Sequence, residues 1–172
     1  FEMATKPYRR ATRKLESTRV TLSADLRGRL LRRYKRFLAD VELDSGEIVT
    51  VHCPNPGSMR GTSKPGSAVR CSTSENPKRK LKHTLEMIRV GRIWVGLHTL
   101  RANQIAAEAL EAGTIPALRG YPVVRREIST GHSRLDFCLE GHTQDPRRAW
   151  VEVKSVTMAE GSTALFPDSV SD

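Results

Sequence analysis

Residues 37–51 restrict the fold more than any other stretch. Phe37, Ala39, Val41 and Leu43 alternate with Leu38, Asp40, Glu42 and Asp44. Ser45-Gly46 follows, and Ile48, Val49 and Val51 then resume an extended pattern. A period of two sends successive side chains to opposite faces of a strand, and two such runs around a Gly-containing turn predict a β-hairpin. Pro54-Asn55-Pro56-Gly57-Ser58 is a run of turn formers, Pro65-Gly66 opens another turn before Ala68–Cys71, and Ile93–Leu97 reads as a strand. Residues 81–90 fit strand or helix. Four or five short strands within 34–98 predict a small β-barrel. Leu26, Leu30 and Leu31 suggest a short helical turn, with ordered structure expected from about Arg33.

The pattern changes at Thr99. Leu100, Ala102, Ile105, Ala106, Ala109 and Leu110 fall at helical spacing, with Gly113 placed to cap the C-terminus. Three strands are expected after it, at 121–128, 134–139 and 150–156, the last two joined by the polar loop 140–148. The order is helix, strand, strand, strand.

Charge is unevenly distributed. The 172-residue chain carries a net charge of +10. Residues 1–36 hold twelve Lys and Arg against three Asp and Glu, so nine of those ten net charges lie there. The rest is near neutral, apart from a stripe at 78–101 with seven basic residues and one acid, Glu86. An arm at 1–32, expected to be mobile, and one basic stripe attract phosphates; they also read simply as solvated surface. Within this pattern Lys78, Arg79, Lys80, Lys82 and Arg36 are the expected nucleic-acid contacts. Asn55, Gly57 and Ser58 either present donors to a phosphate or close a tight turn. Trp94 suits base stacking, but its apolar neighbours place it in the core. Cys53, Cys71 and Cys138 lack CxxC spacing, which fits reduced thiols and a cytoplasmic protein with no membrane contact. The histidines show no ligand spacing, and His132 is expected at the surface.

Glu152 and Lys154 share a strand parity, with Val151 and Val153 on the other, and Asp136 lies between Leu135 and Phe137. Two carboxylates and a lysine on one sheet face suit a metal-dependent phosphodiesterase: the acids hold a divalent cation and the lysine stabilises charge on water or phosphate. Glu108, on the helix, is a further acid for the same place. Exposed strand charges in a weak ion pair give the same sequence.

Several segments resemble, in order, the sugar fermentation stimulation protein A family: Tyr34–Val41, His52–Met59, Ser72–Lys80, Asn103, Ser133–Phe137, Val151–Thr157 and Phe166–Val170. After the basic arm 1–32, the resemblance implies a mixed α/β chain (α+β or α/β) of two parts: an OB-like β-barrel at 33–98 and a PD-(D/E)XK restriction-endonuclease-like domain at 99–172. It makes Asp136, Glu152 and Lys154 the D…ExK signature, with Glu108 as the helical acid and Mg2+ (or Mn2+) held by Asp136, Glu152 and the Val153 carbonyl. It further implies DNA as partner, with RNA as a second choice, and a link to regulation of sugar, chiefly maltose, metabolism. The alternatives it leaves open are a Mg-dependent nuclease and a non-catalytic regulator or scaffold. Two departures stand out. Pro56 replaces the Thr of the family's Asn-Thr-Gly motif, removing a hydroxyl and a backbone donor. The chain also stops short of the family's last helix and strands, so the expected nuclease-like domain is incomplete and its exposed sheet edge favours homo-oligomers.

Overall fold

The computed structural model describes residues 21–131 and 133–166. Contacts group the chain into two compact units, one containing residues 21–100 with 155–166, the other 101–154. Most of the expected arm, and His132, lie outside the described residues.

The first unit is a closed barrel. Its strands are β1 (Leu26–Tyr34), β2 (Leu38–Leu43), β3 (Ile48–His52), β4 (Ala68–Thr73) and β5 (His83–Val90), with β6 (Ile93–Gly96) added outside β5. The sheet runs β3-β2-β1-β4-β5-β6, and a parallel β3–β5 pairing, His52 opposite Thr84, closes the first five strands into a ring. That strand order and closure are OB-like. The core holds Leu30, Val41, Val51, Val69, Leu85 and Ile88, joined by Cys53, Met59 and Leu97.

The helical turn expected at Leu26–Leu31 is instead the first half of β1. Gly28 and Leu30 are buried while Arg27 and Arg29 are exposed, so the period is two. The ladder steps from Leu30 opposite Val41 to Arg32 opposite Asp40, which makes Leu31 the extra residue of a bulge and leaves it 37% exposed. Two adjacent leucines therefore point different ways, and the pair reads misleadingly as helical. The bulge bends β1 so that Leu26–Arg29 pair with β4 and Gly28–Tyr34 with β2. Gly28 is required at this crossing, since a Cβ there would lie 2.3 Å from the Glu42 carbonyl oxygen.

Residues 83–90, ambiguous in sequence, form β5. Trp94 is not in the core: it sits on the outer strand β6, 37% exposed, under the Arg70 guanidinium at 5.6 Å. Its strand is the sixth, beyond the closed ring, so apolar neighbours such as Ile93 face outward too.

The second unit contains α1 (Leu100–Glu111), a short 3-10 turn at Pro116–Leu118, and the antiparallel sheet β7-β8-β9, formed by Val123–Thr130, Ser133–Glu140 and Ala149–Val151. Ala107 and Leu110 pack with Phe137 and Leu139, and Val151 and Val153 join this core. Leu100 and Ile105 are exposed, so the buried face of α1 is narrower than the sequence suggests. Gly113, at φ 64°, ends the helix as expected, its N–H bonded to the Leu110 carbonyl. The third strand ends at Val151, five residues earlier than expected. A separate hairpin, β10 (Met158–Glu160) with β11 (Thr163–Leu165), groups by its contacts with the barrel's unit. Among the described residues no helix is long and apolar enough to cross a membrane.

Candidate functional site

Asp136 sits in β8 with both carboxylate oxygens engaged. Asn103, one turn into α1, donates its Nδ2 to Oδ1 at 2.6 Å, and the Val153 backbone N–H donates to Oδ2 at 2.7 Å. These contacts explain why β9 stops early. The β8–β9 ladder pairs Phe137 with Val151; continued by one residue, it would set Glu152 opposite Asp136. The next N–H, that of Val153, goes to the Asp136 side chain. The strand gives way to a side-chain bridge just past Glu152.

Lys154 Nζ donates to Glu152 Oε1 at 2.6 Å, between side chains 64% and 42% exposed. The Lys154 ammonium is held above its usual pKa, first by this hydrogen bond and the charge of Glu152, then by the charge of Asp136. As an ammonium it donates to Glu152 and can stabilise negative charge. Asp136, Val153 and Lys154 are thus gathered together, with Glu152 attached through Lys154.

Val153 donates its N–H to Asp136, and its carbonyl, the group expected to face a metal, is a separate acceptor. Glu108 is half-buried on α1, and among the described residues no three His, Cys, Asp or Glu side chains are grouped to hold a metal. The donors present are still of the right type. A carboxylate has about four acceptor sites, so Asp136 retains capacity after two hydrogen bonds, and Lys154 engages only Oε1 of Glu152. Mg2+ is commonly held by one or two carboxylates with water completing the shell, and this pair fits that requirement.

Across β7 the ladder steps from Arg126–Phe137 to Ile128–Leu135, which leaves Glu127 facing Asp136 in register. Glu127 has left-handed backbone, φ 57°, and its carboxylate pairs with Arg134. Such geometry is uncommon for a side chain of this size.

The basic candidates lie on the loops next to the end of β3, where His52 pairs with Leu38 on one side and Thr84 on the other. Arg36 is in the β1–β2 turn, where Lys35 and Arg36 are both left-handed at φ 46° and 62°. Lys78, Arg79, Lys80 and Lys82 are exposed in the β4–β5 loop. Asn55 and Ser58 follow β3. Asn55 is buried and its Oδ1 accepts the Gly57 N–H at 2.9 Å, so it closes a tight turn; Ser58 is exposed. One residue that sequence reasoning missed ties these loops together. Arg33 Nη2 lies 2.8 Å from the Arg36 carbonyl, 3.0 Å from that of Asn55 and 2.8 Å from that of Gly57. Its sequence setting, one more arginine in a basic run, carries no sign of this. Phe37 and His52 were also missed. Phe37 shares parity with Ala39 and Val41 but precedes β2, so its ring is 46% exposed and stacks on His52 at 6.5 Å and 22°.

Elsewhere on the barrel, Asp40 accepts from Arg32 at 2.7 Å, Thr50 at 2.8 Å and Tyr34 at 3.0 Å, and these bonds, led by Arg32, hold its carboxyl below the usual range. Burial pushes the Cys71 thiol up to about 12, with a further push from Glu86, so this cysteine is inert packing.

Comparison with known proteins divides the chain between residues 97 and 100, so residues 155–166, which contacts group with the barrel, fall in the second match. Residues 31–97 match the SfsA N-terminal OB domain, and residues 100–172 match the sugar fermentation stimulation protein RE domain. Sugar fermentation stimulation protein homologs from Geobacter sulfurreducens and Alkalilimnicola ehrlichii are each 52% identical, over 146 and 148 residues. Each match covers 84% of this chain, and 61% and 62% of the respective relatives. Among solved structures, Pyrococcus furiosus SfsA in complex with Ca2+ is similar with a TM-score of 0.70 and 25% identity, over 85% of this chain and 61% of that one. The chain thus spans about three fifths of the length of the relatives it matches.

Proposed function

The chain belongs to the sugar fermentation stimulation protein family, and from that membership and the geometry above we propose that it is a DNA-binding protein, linked to regulation of sugar metabolism, whose helix-and-sheet unit is a PD-(D/E)XK-type phosphodiesterase site. The observation that carries this reading is the Asp136 cluster. An acid in a strand is held by a helix amide and a backbone N–H, and Lys154, next after Val153, pairs with Glu152.

In this proposal Asp136 and Glu152, with the Val153 carbonyl, would hold Mg2+ or Mn2+, which when bound polarises a phosphodiester and lowers the pKa of water. Asn103 fixes the Asp136 carboxylate. Lys154 orients the attacking water and offsets charge on a phosphate oxygen. Glu108 assists from α1. The exposed cations of the barrel bind phosphates with little sequence readout, so affinity should fall steeply with salt. The same proposal places the protein in the cytoplasm.

Wild type, Glu152→Ala and Lys154→Ala are to be compared on single- and double-stranded DNA and on RNA with Mg2+ or Mn2+. The expected loss in either variant is roughly 100-fold or more, as changing even an outer partner of a metal can cost 10- to 100-fold. Equal cleavage by all three would assign the activity to a contaminant. A second reading, a regulator without catalysis, draws on the Lys154–Glu152 pair and on the absence of a three-ligand group among the described residues. It predicts salt-dependent DNA binding with no metal-dependent cleavage by wild type.

A further inference from the structure

We propose that Phe37, backed by His52, is a stacking platform for an unpaired base, so that the barrel takes single-stranded nucleic acid in preference to a duplex. This rests on the reading of the barrel as nucleic-acid-binding and deepens it by naming the strand form and the anchoring residue.

The platform is built. Phe37 begins where two consecutive left-handed residues, Lys35 and Arg36, turn the chain out of β1. Arg33 fixes that turn through the Arg36 carbonyl, and the same guanidinium holds the loop after β3 at Asn55 and Gly57. The Phe37 carbonyl accepts the Cys53 N–H at 2.8 Å, which ties it to the end of β3. The ring then stands beside His52 in an offset stack, centroids 6.5 Å apart at 22°, and the residue stays 46% exposed. A large aromatic side chain with that much exposure, its backbone bonded at the N–H to Lys35 and at the carbonyl to Cys53, loses little conformational freedom when something stacks on it. His52 itself stands across from Leu38 on one side and Thr84 on the other, at the seam that closes the barrel.

The neighbours choose the ligand. Arg79 Nη2 bonds Thr84 Oγ1 at 3.1 Å, at that same seam. Burial first, and the charge of Arg79 second, disfavour protonation of His52, so the ring behind Phe37 is neutral at physiological pH. Lys35, Arg36, Lys78, Lys80 and Lys82 are exposed on the two loops that flank the end of β3. Aromatic platforms also take sugars, but a neutral oligosaccharide gains little from six cations, whereas a phosphate backbone gains directly. A duplex satisfies the cations but hides its base faces. Only an unpaired base meets both the ring and the charges.

The test is fluorescence anisotropy with labelled dT15 and a 15-base-pair duplex, at low and physiological salt, on the whole chain carrying Phe37, Phe37→Ala or Phe37→Trp. Loss of one base stack should weaken dT15 binding by about tenfold in Phe37→Ala, with the duplex nearly unaffected. Phe37→Trp should restore dT15 affinity, and its added fluorescence should be quenched by dT15. Equal dT15 affinity in wild type and Phe37→Ala, with salt-dependent binding intact, would overturn the platform while leaving the nucleic-acid reading in place. Salt-independent or absent binding of both strands would overturn both. Quenching of Phe37→Trp by maltoheptaose but not by dT15 would overturn it in favour of a sugar site.

Discussion

The barrel and the helix-and-sheet unit solve the same problem with different means. In the barrel, β3–β5 pairing closes the ring, and its core runs from Leu30 to Leu97 with side chains from every strand of the ring. In the other unit a three-stranded sheet is covered by one helix, and its buried centre is Ala107, Leu110, Phe137 and Leu139. The barrel can therefore leave its loops to function, because closure holds their ends. The sheet must hold its site with side chains: where β9 stops, Asp136 bonded to Asn103 and Val153 takes over as the tie. A frame held by backbone pairing tolerates changes in its polar groups. A frame held by one carboxylate does not.

The largest effects should come from opening each core. The chain has two tryptophans, Trp94 on β6 and Trp150 on β9, one in each unit. Single-tryptophan versions, Trp150→Phe and Trp94→Phe, then report each unit's urea unfolding separately. Phe137→Ala should cost about 3–5 kcal/mol in the Trp150 transition and leave the Trp94 transition in place. Leu30→Ala should cost about 2–5 kcal/mol in the reverse sense. If both transitions move together in both variants, the two units unfold as one and the comparison fails.

Next in size is the tie itself. Asn103→Ala removes a hydrogen bond to a carboxylate, a class worth about 1.5–3 kcal/mol. It should shift the Trp150 transition to lower urea. Asn103→Asp should be worse, since two acids would face each other. An unmoved Trp150 transition in Asn103→Ala would mean that Val153 alone fixes the carboxylate.

Acid sharpens the comparison from the barrel side. Asp40 has its carboxyl depressed, chiefly by the Arg32 hydrogen bond and then by Thr50 and Tyr34. A depressed carboxyl adds stability above its unfolded pKa of about 4, and that stability fades as pH falls through the lower folded value. The Trp94 transition of wild type should therefore weaken below about pH 4, and Asp40→Asn should show a flatter slope there. Equal slopes would remove Asp40 from the account.

Legibility in the sequence followed the same division. The hairpin at 37–51, the loops and Gly113 could be read because each depends on local chemistry: alternation, turn formers and a left-handed cap. The first strand could not. Its bulge at Leu31 places two leucines in series, and the partner that makes sense of them, Val41, is eleven residues away. Trp94 was misread because apolar neighbours signal a core only when both faces of a strand are covered. At the site, Asp136, Glu152 and Lys154 stood out by spacing and by resemblance. The Arg33 clamp and the Asn103 contact did not, because a guanidinium or amide shows its partners only once the chain has folded.

The smallest expected stability effect belongs to Lys154. Its pair with Glu152 is short, 2.6 Å, but both side chains face solvent. Exposed pairs gain little because each charge is already well solvated and ordering long side chains costs entropy. Lys154→Gln and Glu152→Gln should therefore leave both unfolding transitions where they are in wild type, even at low salt. The raised pKa of Lys154 reflects its interaction with Glu152 and Asp136, not a contribution that holds the sheet together. The consequence is asymmetric: Asn103→Ala should disturb fold and site together, while Lys154→Gln should disturb the site alone. If Lys154→Gln instead shifts the Trp150 transition as far as Asn103→Ala does, then Lys154 is part of the tie that replaces β9. Any loss of cleavage in Lys154→Ala would then have to be read as loss of structure.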